Sequence, residues 1–252
     1  MRHIEQMDDR YPVKTMFTEG GYKVTGRDSE GKREGREALT EYLGYEPVRS
    51  VCARQIHSGS ILLAGKDETE DRIAYKDERF AVRNEEGYDG LVTGEKGVLL
   101  YITTADCAPV FLYDPQKHVC GVVHSGWRGT CSSIAVNAIN VMKDCFGSDP
   151  AKIIAAVGPC ICGDCYEVGG ELKESFREDF SDGEIDSFFK EKDNGKYLLD
   201  VTGAVRISVL RAGVSPENFI DTGICTFSSE IYPSYRRVRF ELGHIFSGII
   251  LE

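Results

Sequence analysis

The sequence predicts a mixed α/β (α+β) fold, built as one domain over residues 1–252. Strand-like apolar runs alternate with helical periodicities along the whole chain, the pattern of a layered α/β core. No internal repeat or low-complexity tract interrupts that alternation, and no Pro/Gly/Ser-rich linker divides it. A 41% hydrophobic share, with 12 Phe, 12 Tyr and one Trp, is enough for a substantial core.

Residues 11–17, YPVKTMF, carry β-formers and read as a strand. Residues 18–37 are Gly-rich and charged and read as a mobile loop. A short helix follows, with Ala38, Leu39, Tyr42 and Leu43 on one face and Gly44 closing it. Residues 48–64 read as strand, turn, strand, with Gln55, His57, Ser58 and Gly59 at the polar middle, and 65–72 as a solvated charged connector. Residues 88–130 organise the rest: strand, tight turn, strand, turn, strand, loop, and the start of a helix. That helix continues through Cys131, Ile134, Ala135, Ala138, Ile139 and Met142, and Gly147 with Pro150 ends it. Ile153 to Val157 is an apolar strand, and Val168, Leu172, Phe176 and Phe180 share a helical face. Residues 181–196 are polar and read as beginning in a loop. A helix is expected over 201–211 with Gly213 just past its end, then a strand over 219–226 and a terminal strand or two.

Lys plus Arg number 30 against 41 Asp plus Glu, a formal net charge of −11. That argues against a general basic surface for nucleic acid or anionic membrane, though not against a few arginines around a small anion. The sequence shows no apolar signal segment and no run long enough to span a bilayer. Nine cysteines, an odd number, read as reduced thiols in a cytoplasmic protein.

His57, Cys107 and His124 stand at strand ends beside small or turn residues, in QIHSG, ADCAP and VVHSGW. A lone histidine of this kind is commonly structural, but neutral imidazole and thiolate together suit zinc, and three protein ligands leave a fourth position for water. Such a water has its pKa lowered toward about 7 and becomes a nucleophile. Asp106 and Asp89 are candidates to orient a ligand or handle a proton, with a simple Asx-turn the competing role for Asp106. Arg128 stands where a helix is expected to open at Thr130, a ready oxyanion or phosphate position. Arg236 and Arg237 follow a Pro-Ser-Tyr turn from which a guanidinium could reach the pocket; surface solvation is the alternative for all three.

Six ordered motifs resemble those of the laccase-domain family, also labelled polyphenol oxidoreductase, purine nucleoside phosphorylase or peptidoglycan editing factor. They are Gln55-Ile56-His57-Ser58-Gly59, Asp89-Gly90-Leu91-Val92-Thr93, Ala105-Asp106-Cys107-Ala108-Pro109, His124-Ser125-Gly126-Trp127-Arg128-Gly129, GPCICGDCYEVGGEL and CTFSSEIYPSYRR, covering about residues 48–240. The resemblance implies a four-layer α/β/β/α sandwich, with His57, Cys107 and His124 as zinc ligands. It implies action on purine nucleosides: phosphorolysis of adenosine, inosine, guanosine and methylthioadenosine with phosphate as co-substrate, and hydrolytic deamination of adenosine. Cys107, His124, Asp106 and Arg128 are the expected catalytic residues, and Asp89, Arg236 and Arg237 the expected substrate-binding ones.

The chain departs from the family pattern twice. Glu19 stands where an N-terminal motif carries Arg, and Leu242-Gly243-His244 replaces a Thr-Gly-Arg; either change bears on phosphate or ribose binding. Four-electron reduction of dioxygen needs a multicopper cluster, and five histidines with no His-x-His pair argue against true laccase activity. Copper remains an alternative occupant, since it outcompetes zinc in intrinsic affinity. The rival functions are a cysteine hydrolase, with Cys107 as nucleophile and His124 or His57 as base, and an editing factor for peptidoglycan precursors. Cys160, Cys162 and Cys165 lack a nearby fourth ligand in sequence and read as small buried thiols.

Overall fold

The computed structural model describes residues 1–24, 30–77, 79, 86–239 and 243–252. A short α1 (Glu5–Asp8) precedes β1 (Val13–Phe17). The first long helix, α2 (Glu30–Leu43), starts earlier than its apolar residues suggest. Gly31 and Gly35 explain why: they face inward, and a Cβ on Gly35 would sit 2.5 Å from the Phe246 ring. The helix therefore needs glycines for close approach, and those same glycines look like loop residues in sequence. Residues 25–29 of the expected loop lie outside the described residues. The charged connector between β3 (Ile61–Leu63) and β4 (Arg72–Tyr75) is pinned by an ion pair at 2.6 Å between its Asp71 and Arg49 of β2 (Arg49–Cys52).

The central stretch contains one strand more than expected. Its members are β5 (Gly90–Thr93), β6 (Val98–Thr104), β7 (Ala108–Asp114) and β8 (Val119–Ser125). Every residue of β5 is buried, and a run so short and uniformly buried has no alternation to reveal it. The predicted helix after it is two, α3 (Trp127–Cys131) and α4 (Ile134–Phe146), separated by Ser133 in a left-handed conformation. Gly147, at φ +69°, ends α4. After β9 (Ile154–Val157), Val168 falls in β10 (Glu167–Val168) rather than on the helix α5 (Gly170–Ser175). The polar segment expected as loop opens with α6 (Asp182–Phe188), held by a capping box between Ser181 and Glu184. There follow β11 (Phe189–Glu191), β12 (Tyr197–Leu199) and α7 (Val201–Arg211), with Gly213 at φ +105° beyond it. The remaining elements are β13 (Phe219–Asp221), shorter than expected, α8 (Tyr235–Val238) and β14 (Ile245–Leu251).

These elements stack in four layers. A 4-stranded sheet, β1-β14-β6-β2, faces a 7-stranded sheet, β13-β9-β7-β8-β5-β3-β4. Phe17, Leu100, Ile102 and Ile249 of the first pack against Leu91, Phe111, Tyr113 and Val122 of the second. Each fully buried side chain of this size contributes roughly 1.5–3 kcal/mol. On the outer side of the smaller sheet, Leu39 of α2 meets Met16, Leu99, Phe246 and Ile250. On the outer side of the larger one, Ile134, Ala138 and Met142 of α4 and Val205 and Val209 of α7 cover Val92, Val110, Leu112 and Val123. A 3-stranded sheet, β10-β12-β11, adjoins α6. The result is the α/β/β/α arrangement. No helix among the described residues is long and apolar enough to cross a membrane.

Candidate metal centre

Three loops meet where the strands of the larger sheet end. His57 lies between β2 and β3, Cys107 at the corner between β6 and β7, and His124 near the end of β8. Their ligand-capable nitrogen and sulfur atoms all fall within 4.8 Å of one another. The two imidazole rings stand edge to face, centroids 5.0 Å apart. His124 is buried; His57 and Cys107 are half-buried, so the cluster opens toward solvent on their side.

Asp89 builds two of these positions. Its side chain is fully buried just before β5, where its carboxylate accepts the N–H groups of Ile56, His57 and Ser58 at 3.0, 3.0 and 2.8 Å. Ser58 Oγ donates at 3.0 Å, and His124 Nδ1 lies 2.9 Å from Oδ1. One side chain therefore folds the turn that carries His57, itself at φ +62°, and fixes the His124 ring. With Nδ1 held by the carboxylate, Nε2 is the nitrogen turned toward Cys107, the carboxylate–histidine arrangement of metal sites. Gln55 anchors the same turn to the end of β6, bonding Thr103 O at 2.7 Å and Thr103 N at 2.9 Å. Asp89, expected to bind substrate, is enclosed behind the histidines with its oxygens occupied by donors of this chain.

Cys107 follows Asp106, a non-glycine residue at φ +86°. Asp106 holds this unusual corner by accepting from Thr226 Oγ1 at 2.6 Å and from Arg236 N at 2.6 Å. It is therefore engaged as a brace between loops, close to the Asx-type role. In the β7–β8 ladder Ala108 pairs with Ser125, which brings Gly126 opposite Cys107. A Cβ on Gly126 would lie 2.6 Å from Cys107 Sγ, so only glycine leaves room for the sulfur.

The field that raises the His124 pKa would equally favour a bound cation, which takes the imidazole in its neutral form. Burial disfavours a charge on His124, but the Cys107 sulfur and Asp89 carboxylate outweigh it and push the imidazole up to about 10. Asp89 moves the opposite way: burial would raise it, and the His124 partner with the converging N–H groups holds it below the usual carboxylate range. Two nitrogens, a sulfur, an oriented histidine and a space that a Cβ would fill fit a small tetrahedral cation.

The arginines separate. Arg237 donates to the carbonyls of Thr226, Phe227, Ser229 and Tyr232 at 2.6–2.9 Å. Its guanidinium clamps the 226–232 loop. Arg236 is exposed, donates to Glu167 O at 2.7 Å, and lies over the Tyr166 ring at 4.9 Å. Arg128 stands over Trp127, 4.3 Å from the ring centroid. The helix there begins at Trp127 rather than Thr130 and is a single short turn. Glu19 is paired with the Met1 ammonium and Arg2, both at 2.9 Å. His244 exchanges backbone hydrogen bonds with Tyr22, and burial, with His124 a lesser influence, lowers its pKa. Leu242 of the same motif lies outside the described residues.

Sequence reasoning assigned no chemistry to Tyr166. Burial, Cys107 and Asp106 push its phenol up to about 12 despite Arg236, which keeps a protonated hydroxyl beside the cluster. Its position after Cys165 in the YEVG motif was the available signal. Sequence also failed to join Cys225 to Cys162 and Cys165, whose ligand atoms converge within 4.8 Å. Of the cysteines expected to be buried thiols, Cys160 is buried while Cys162 and Cys165 are half-exposed.

The family model described as multi-copper polyphenol oxidoreductase laccase matches residues 18–252. The chain belongs to this family. It is 33% identical over 231 residues to a purine nucleoside phosphorylase of Bacteroides thetaiotaomicron, covering 90% of this chain and 83% of that one. It is 32% identical over 241 residues to adenosine deaminase RL5 of an unknown prokaryotic organism, covering 88% and 91%. Among solved family-like structures, the hypothetical protein YfiH of Bacillus licheniformis superposes with a TM-score of 0.81 at 26% identity, over 95% of this chain and 93% of that one. YlmD from Geobacillus stearothermophilus superposes with a TM-score of 0.78 at 29% identity, over 95% and 91%.

Proposed function

We propose that this family member is a zinc-dependent purine nucleoside enzyme. It carries out phosphorolysis of adenosine, inosine, guanosine and methylthioadenosine, and hydrolytic deamination of adenosine, as one domain in a reducing cytoplasm. The observation that carries the proposal is the convergence of His57, Cys107 and His124 on one point, with Asp89 orienting His124 from behind. Relatives named as a phosphorylase and as a deaminase support both reactions. Nine unpaired cysteines suit the compartment.

His57, Cys107 and His124 would hold the zinc, which supplies Lewis acidity and a water acidic enough to serve as nucleophile near neutral pH. Asp89 keeps the His124 ring from rotating and keeps Nε2 available. Asp106 holds the Cys107 corner by its bonds to Thr226 and Arg236. Tyr166 retains its proton through the physiological range and offers an O–H donor to a purine nitrogen or a leaving group. Arg128 and Arg236 are the guanidinium groups left to attract phosphate, since Arg237 is engaged by its loop. Copper is the alternative occupant of the same donor set.

The Cys107–His124 contact also favours a second reading, Cys107 as nucleophile with His124 as its base in a hydrolase. That reading gives His57 no role and leaves the tight fit of Gly126 against the sulfur unexplained.

The test is a chromatographic product assay with adenosine, with and without phosphate, on the zinc-loaded chain. Adenine plus ribose-1-phosphate is expected with phosphate and inosine without it, both abolished by His124→Ala. Undiminished turnover by His124→Ala removes the mechanism. Complete inactivity of the intact zinc-loaded chain across a purine panel favours a non-enzymatic role such as editing of peptidoglycan precursors.

A further inference from the structure

Outside the His57 cluster, one other group of metal-capable side chains converges among the described residues. Cys162, Cys165 and Cys225 place their sulfur atoms within 4.8 Å of one another, with no histidine or carboxylate in the group. Cys162 and Cys165 sit in one tight turn, closed by Cys165 N–H and Tyr166 N–H donating to Cys162 O at 3.0 and 3.1 Å. A Cys-x-x-Cys turn of this kind presents two sulfurs to one point. Cys225 arrives from 60 residues downstream because the chain after β13 runs beside the chain after β9. Cys160 N donates to Ile224 O at 3.1 Å and Thr226 N to Cys160 O at 2.9 Å. Cys162 N–H donates to Cys225 Sγ at 3.4 Å, a bond that favours sulfur in its thiolate form.

We propose that Cys162, Cys165 and Cys225 form a second metal site, a three-thiolate centre for a thiophilic cation, zinc(II) or copper(I). All-sulfur donor sets select these ions over magnesium, calcium or manganese. Zn–S bonds of about 2.3 Å require sulfurs roughly 3.8 Å apart, a contraction that two adjoining loops can make without moving a strand. All three cysteines are half-buried, so a cation can enter from solvent and zinc can complete its shell with water.

The site stands apart from the nucleoside chemistry but not from the architecture that supports it. Tyr166 follows Cys165, and Thr226 follows Cys225. Thr226 Oγ1 holds Asp106 at 2.6 Å, directly before Cys107. A cation here staples the 160–166 loop to the 224–229 loop and so braces the wall that carries Tyr166 and Asp106.

The full-length chain, purified under reductant and stripped with chelator, is titrated with cobalt(II), then challenged with zinc(II) and, in parallel, copper(I). The site predicts two equivalents of cobalt and sulfur-to-cobalt charge-transfer intensity for four Co–S bonds, one from Cys107 and three from this cluster. Cys162→Ser and Cys225→Ser each lose one equivalent and keep the other, whereas His124→Ala retains the three-thiolate bands. Displacement by zinc identifies zinc as the occupant; displacement by copper(I) alone identifies copper. A single equivalent of each cation in the wild-type chain, with charge-transfer intensity for one Co–S bond only, overturns the proposal even if a variant fails to fold, whether the cluster thiols are all free or two are joined as a disulfide.

Discussion

Asp89→Ala is expected to lower zinc affinity by about 10- to 100-fold, the range for groups that orient a metal-bound histidine, and to destabilise the fold by about 3–5 kcal/mol, as when one partner of a buried charged pair is removed. The size follows from the bonds lost together. Ile56, His57 and Ser58 N–H, Ser58 Oγ and His124 Nδ1 all converge on that carboxylate. Asp89 is itself fully buried, so water does not readily replace the lost acceptor. Asp89→Asn is expected to be nearly as damaging, because an amide turns an N–H donor toward other donors. Denaturant unfolding and competitive chelator titration separate the two effects. Wild-type zinc affinity in a folded Asp89→Ala protein would mean that His124 needs no support.

Gly126→Ala tests the sulfur position with the opposite profile, a lost metal in a preserved fold. The backbone there, at φ −78°, accepts alanine without strain. The added Cβ, however, would lie 2.6 Å from Cys107 Sγ, and the sulfur must move away from the two histidines. We expect zinc affinity to fall by at least about 100-fold, since a displaced ligand costs no less than a lost orienting partner, with far-UV circular dichroism unchanged. Adenosine turnover should fall in proportion to zinc occupancy. Retention of tight zinc binding would show that Cys107 is not a ligand in the position described.

Much of this site is legible from sequence because its candidate ligands occupy strand ends flanked by small residues, where an imidazole or thiol has no packing role to explain it. His57, Cys107 and His124 each have that setting. What surrounds them is not legible. Arg236 and Arg237 are the same residue type one position apart, yet one lies open over Tyr166 and the other is sealed among loop carbonyls. Nothing local announces which side of the turn faces inward. Asp89 and Asp106 both precede a strand, and each is recruited by donors from distant segments, 31 to 35 residues away for Asp89 and 120 to 130 for Asp106. The meeting of Cys225 with Cys162 depends on the parallel pairing of β13 with β9, which no spacing within CICGDC records. The fold follows the same division: α7 was readable from its periodicity and cap, whereas α2 was obscured by glycines chosen for contact with Lys23 and Phe246. In α6 a usable signal was present, since Ser181 and Glu184 have the capping-box spacing.

The most direct measurement of the central claim is adenosine turnover by chelator-stripped protein as zinc is returned in substoichiometric steps. The account predicts no product from the stripped chain and recovery of turnover in step with filling of the site that His124→Ala removes. Full turnover by the stripped chain, unchanged by added zinc, would contradict it and leave the Cys107–His124 pair as the catalytic unit.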